Sequence, residues 1–240
     1  SQVSLLDENF NDVTAATGGS LSSTSTIDVG GTTGILSTYP AQLPIGTTWS
    51  TTNTSGTPAA NINVRRGDNT INTSAGAFGF NSFFATATTN NFLVLGDNGG
   101  TILSDPASGL MSIIFPVSSI PAWAGIFRVS YDFVFNGTDT VTANDIFKSY
   151  IQEGLNLIDL QTLNSGSGSL ITGSFSIDLI VKDLPKEPLN LVFQLNESNL
   201  TGTNTAVGID NVKIVVIPEP ASLVLLGAGL AGLGLARRRT

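Results

Sequence analysis

The sequence predicts an all-β protein, an antiparallel β-sandwich of jelly-roll or related Greek-key form, followed by one C-terminal hydrophobic helix. Three observations predict it. Apolar residues recur at every second position in long segments, turn residues punctuate the chain between those segments, and almost no helical periodicity precedes residue 220. A period of two puts alternate side chains on one face of a strand, whereas a helix needs a period of 3.6.

The elements follow in chain order. Leu5-Leu6-Asp7-Glu8-Asn9-Phe10-Asn11 opens the domain, and Thr14–Asn61, rich in Ser, Thr and Gly, predicts irregular strands and long loops. Short apolar runs at Ile62–Val64, Phe78–Phe84, Phe92–Leu95 and Leu110–Val117 are bounded by Gly, Pro, Asn or Asp, as strands are. Phe127, Val129, Tyr131, Phe133 and Phe135 alternate with Arg128, Ser130, Asp132 and Val134, which predicts a strand with one buried face. Residues 144–151 fit a short helix or a strand over Ile146–Ile151. Phe175–Val181 and Leu189–Leu195 repeat the alternation, and Asn136-Gly137, Ser165–Gly168 and Leu184-Pro185-Lys186 supply the reversals. In Val207–Val216 the alternation slips: Val207 and Ile209 share one parity, Val212, Ile214 and Val216 the other. A bulge at Asp210-Asn211 explains the slip and is able to turn a carboxylate inward. Nine or ten strands and a sandwich over residues 1–217 are therefore expected, with residues 218–240 as a separate tail.

Composition narrows the chemistry. The 240 residues include no cysteine and no histidine, which removes disulfides, thiolates, the commonest metal ligand and the usual general base near neutral pH. No nucleophile or acid–base constellation stands out, so an enzyme is not expected. Glu153 and Glu197, in turn-like surroundings, are read as solvated loop acids rather than a glycosidase pair. The formal charge is −8; Arg237, Arg238 and Arg239 supply three of the ten basic residues, and without them the net charge is −11. So acidic a domain repels phosphates and makes nucleic acid a poor partner.

The tail carries the most specific signal. Ala221–Ala236 is sixteen residues without a charge, preceded by Pro218-Glu219-Pro220 and followed by Arg237–Arg239. As a helix it reaches ~24 Å, short of a ~30 Å hydrocarbon core, so it spans only with help from snorkelling arginines and local thinning. The arginines favour the cytoplasmic side and leave the acidic domain outside. Gly227, Gly229, Gly232 and Gly234 provide a surface for close helix packing, which keeps self-association into an oligomer or filament as an alternative. The order Pro-Glu-Pro, apolar run, arginine cluster closely resembles the PEP-CTERM sorting signal of exported proteins in exopolysaccharide-producing bacteria. The resemblance implies Sec export, transient retention in the inner membrane and recognition of the Pro218–Pro220 region by an exosortase. Residues 1–4 show no secretory leader, so an export signal is expected to lie outside this numbering or to have been removed.

The segments Leu5–Asn11 and Val207–Val212 together resemble the carbohydrate-binding-module type of jelly roll. That resemblance implies neighbouring first and last strands whose acidic residues hold a structural calcium, here Glu8 and Asp210, with Asp7 a weaker candidate. A chain without His and Cys offers a cation only hard oxygen donors, which suits calcium; side-chain capping of a turn by Asp210-Asn211 is the alternative. For sugar binding, Trp49, Trp123, Tyr39 and Tyr150 are the possible aromatic platforms, and Trp123, in a loop-like setting between Pro121 and Gly125, is the preferred one. Asp97–Gly100 is read as a β-turn. The function expected is that of an exported cell-surface or matrix protein, structural or adhesive, with a carbohydrate-binding module and a filament subunit as alternatives and extracellular polysaccharide as a possible partner.

Overall fold

A computed structural model describes residues 2–9, 48–53, 62–66, 83–84, 91–96, 109–136, 145–164, 170–180, 185–196 and 206–218. Eleven strands lie among them: β1 (Val3–Glu8), β2 (Thr48–Asn53), β3 (Ile62–Arg66), β4 (Asn91–Gly96), β5 (Gly109–Phe115), β6 (Ala124–Asn136), β7 (Ile146–Glu153), β8 (Asn156–Asn164), β9 (Leu170–Ile180), β10 (Leu189–Asn196) and β11 (Ala206–Pro218). They form two antiparallel sheets, one in the order β3-β4-β11-β6-β9 with β1 also on β11, the other in the order β2-β5-β10-β7-β8. The chain crosses between the sheets from β1 to β2, β2 to β3, β4 to β5, β5 to β6, β6 to β7, β8 to β9, β9 to β10 and β10 to β11. Among the described strands only β7 and β8 are joined as a tight hairpin, through Gly154-Leu155, and Gly154 takes the positive φ of 55° that a two-residue loop requires.

The alternating segments become the strands expected of them. In β6 the odd positions Phe127, Val129, Tyr131, Phe133 and Phe135 enter the core, opposite Leu191, Phe193 and Leu195 of β10 and Phe147 of β7. Residues 146–151 are strand, with Phe147, Ser149 and Ile151 buried at every second place, so the strand reading of that segment holds over the helical one. The expected strand over Phe78–Phe84 does not extend to its end: Phe83-Phe84 is helical, and the remainder lies outside the described residues. Neighbouring side chains on a helical turn diverge by about 100° rather than 180°, which lets Phe84 lie on Phe92 (ring centroids 4.9 Å) while still meeting Phe83 edge-on at 5.1 Å.

One polar bridge crosses the core. The Tyr131 hydroxyl donates to Gln161 Oε1 of β8 at 2.7 Å and shares a second 2.7 Å hydrogen bond with Ser149 Oγ of β7. Its ring stacks on Phe175 (5.0 Å) and meets Phe193 edge-on (5.1 Å). A buried hydroxyl without partners is costly, so this bridge fixes how the two sheets sit on each other. Burial pushes the Tyr131 phenol well above its ordinary range, the Ser149 bond opposing that shift only in part.

The bulge expected at Asp210-Asn211 is present. The pairing of β11 with β6 slips by one residue between Asp210 and Lys213, and Asn211 stands at φ 51°. On its other edge β11 changes partner at the same level: Ala206–Ile209 pair with β4, Val212–Val216 with β1. First and last strands thus lie side by side.

The apolar run 221–236, expected as a helix, lies outside the described residues. Among the described residues no helix is long and apolar enough to cross a membrane.

Candidate functional site

Two places on the sandwich hold the residues singled out in the sequence. The first is the bulge. Register sets Glu8 opposite Val212, whose face is the core, and Asp210 opposite Asp132 on the far side of the bulge. Both carboxylates are buried, Glu8 fully. The Asn211 backbone N–H donates to Asp210 Oδ1 at 2.7 Å, the interaction expected of a residue that stabilises its own bulge. Asn211 Nδ2 donates to Asp132 Oδ2 at 2.8 Å, and Ser174 Oγ donates to Asp132 Oδ1. Asp7 stays half-exposed, 3.5 Å from Lys213 Nζ across the strand pair. Among the described residues no group of three acidic side chains stands together as a metal cage. Ser130, Asp132, Ser174, Ser176, Asn211 and Lys213, with Tyr131 and Phe175, line a shallow groove on the outer face, rich in hydroxyl, amide and charged groups.

The second place is the end of the sandwich where β11 finishes. Pro218 pairs with Ala124, Ile180 with Ile126, Val3 with Val216, and Asn156 with Glu153, so the finish of β11, β9 and β7 and the start of β1, β6 and β8 share one end. Here the sheets part around an apolar cavity of about 160 Å³, walled by Phe127, Val129, Leu179, Ile151, Leu189 and Ile214 with Ile158 and Ile180 at its margin. Trp123 belongs to this end. A turn closed by the Ala124 N–H donating to Pro121 O (3.0 Å) carries it, and it is 43% exposed. It stands one residue before the Ala124 that pairs with Pro218.

The same end is pinned by Glu153, whose Oε1 accepts the Lys186 backbone N–H at 2.7 Å, and by Gln152 Nε2 donating to Gly154 O at 2.9 Å. Glu153, expected as a solvated loop acid, therefore ties the β7–β8 hairpin to the segment leading into β10. Tyr150 is half-buried with its hydroxyl 3.4 Å from Gln194 Oε1, and burial raises its pKa; it is no open platform. Trp49 lies on β2 opposite Ile113. Tyr39, Asp97–Gly100, Glu197, Glu219, Pro220 and Arg237–Arg239 lie outside the described residues. What sequence reasoning missed is the cavity, because its lining comes from eight strands that only the pairing brings together.

No curated protein matches the chain. In fold it is similar to a Stig cyclase from Fischerella sp. TAU, with 10% identity, 92% of this chain and 100% of the other covered, and a TM-score of 0.44. It is similar to the CBM22-1–GH10 modules of an endo-1,4-β-D-xylanase of Clostridium thermocellum, with 10% identity, 91% of this chain but only 29% of that chain covered, and a TM-score of 0.40. A cleaved adhesin domain of Lys-gingipain from Porphyromonas gingivalis gives 12% identity, 90% and 99% coverage and a TM-score of 0.37. The tail is the part that a family describes: residues 216–239, beginning inside β11 and running through the arginine cluster, match the PEP-CTERM protein-sorting motif, the mark of an exported and sorted protein.

Proposed function

We propose that this protein is a non-catalytic surface or matrix component, structural or adhesive, whose sandwich is delivered outside the cell and presented there by its tail. The observation that carries the reading is continuity: the sorting motif starts at Val216, within the strand that sits centrally in the larger sheet, so tail and core are one covalent element. During export the partners are the inner membrane and an exosortase acting around Pro218-Glu219-Pro220. Replacing these three residues with alanine tests the reading. Accumulation of a membrane-bound, full-length chain is the expected result, and unchanged release of a chain ending near Pro220 would remove the tail from the account.

Polysaccharide binding is the second reading, and the exposed Trp123 together with the hydroxyl-rich groove around Asp132 and Ser174 favours it. Polysaccharide pull-down that fails for Trp123→Ala or Asp132→Ala supports it and identifies the surface. A filament built through the tail's glycine face is the third; electron microscopy of native material decides it. Calcium enters this proposal through the enclosed Glu8 carboxylate, with Asp210 beyond the bulge, as hard oxygen donors. A chelator that lowers the Tm of the native chain but not of Glu8→Gln supports the ion, and an unchanged Tm in both removes it.

A further inference from the structure

We propose that the end of the sandwich from which the tail departs is a lipid-facing surface, seated on the bilayer interface while the tail is in place. This rests on the reading that Ala221–Ala236 enters a membrane, and it adds that the folded domain itself makes contact.

Exposed large apolar side chains are unevenly placed. Among the described residues, Val3, Trp123, Leu155, Leu157, Ile158 and Ile180 all stand at the tail end; Leu170 is at the opposite end and Phe83 sits in the short helical segment. Leu155, at the tip of the β7–β8 hairpin, is 99% exposed and Ile180 75%. A soluble surface does not usually gather so many at one pole. Position names the occupant. Between Pro218, paired on the sheet, and Ala221, the first residue of the apolar run, stand only Glu219 and Pro220. Three extended residues reach about 10 Å, comparable with the depth of the headgroup layer beyond the hydrocarbon core. A domain held that closely by its central strand has to meet the interface with this end. Tryptophan next to the exit is the residue type that settles at the headgroup level, apolar body inward and indole N–H to water. The described charges at this end are few: Glu153 is engaged with the Lys186 N–H, and Lys186 and Glu187 offset each other formally. With an acidic domain behind it, the contact is apolar and needs no anionic lipid.

The test uses the full chain in phosphatidylcholine vesicles. The chain has two tryptophans, so Trp49→Phe leaves Trp123 as the reporter. Flotation shows first whether the tail inserts. In floated protein we expect a blue-shifted Trp123 emission, quenched by roughly half or more with lipids brominated high on the acyl chain, the depth at which interfacial indoles sit. Leu155→Asp with Ile180→Asp, both at exposed positions, is expected to reduce that quenching at least about two-fold, as apolar contact area is lost. If Trp49→Phe fails to fold, the difference between the native chain and Trp123→Phe gives the same signal. Floated protein whose Trp123 remains unquenched overturns the inference alone. Protection that appears without lipid and grows with protein concentration also overturns it, in favour of a second copy. Protein that does not float overturns the insertion reading beneath it.

Discussion

The gap between the two sheets is closed at one level and open at another, although the same strands bound it at both. Around Tyr131 it is filled by aromatic rings from β6, β9 and β10 and bridged by hydroxyl and amide groups from β7 and β8. Two to four residues along β6, at Val129 and Phe127, the side chains no longer meet and a cavity of about 160 Å³ remains. Specificity of sheet packing is concentrated at the first level, and freedom to accommodate something apolar at the second. Tight packing and open space thus divide the core by height.

That contrast can be broken first at Phe193, which lies in the filled layer with no exposure. Phe193→Ala is expected to lower unfolding free energy by about 3–5 kcal/mol, measured by urea denaturation. Leu189→Ala, at the half-buried wall of the open layer, should cost visibly less, because the cavity is already there; an equal loss would end the distinction. Tyr131→Phe keeps the ring and removes the bridge, leaving Ser149 and Gln161 short of a partner, for about 1–3 kcal/mol. It also removes a source of pH dependence. The folded phenol titrates above its ordinary value near 10, so its contribution is complete below that pH and declines as pH rises beyond it. Tyr131→Phe should flatten the alkaline loss of stability, as read from Tm between pH 9 and about 11. Asn211→Ala, at φ 51°, should cost about 1 kcal/mol, partly recovered by Asn211→Gly. The smallest effect is expected at Arg128 and Asp178 on the exposed face: the Arg128 Nε–H donates to Asp178 Oδ1 at 2.7 Å and Nη2 to Oδ2 at 2.8 Å. Arg128→Ala should leave the midpoint nearly unchanged, since such pairs are screened by water and salt.

Much of this architecture was legible in residue order, and the exceptions are instructive. β6, β9 and β10 declare themselves because each is half-buried over a long run, and the parity slip in β11 located its bulge. β8 does not: Leu157, Ile158, Leu160 and Leu163 break the period of two, because Leu160 is an extra residue where pairing with β7 shifts and because an edge strand leaves Leu157 and Ile158 to solvent. β2, made of Thr, Ser and Asn around one Trp, carries no alternation at all. Trp123 was recognisable as a loop residue. Its place beside the tail was not, since the Ala124–Pro218 pairing joins segments far apart in the chain. The buried state of Glu8 and Asp210 likewise depends on neighbours that only the folded sheets supply.

The choice of β11 as the strand that bears the tail has a mechanical meaning. β11 lies between β6 on one edge and β4 followed by β1 on the other, bonded along nearly its whole length. A pull on the tail, with the rest of the domain held by surrounding material, runs parallel to that strand, so its cross-strand hydrogen bonds resist together in shear rather than parting one by one. An edge strand would peel. Tethered by its middle, the domain can be tugged without being unravelled.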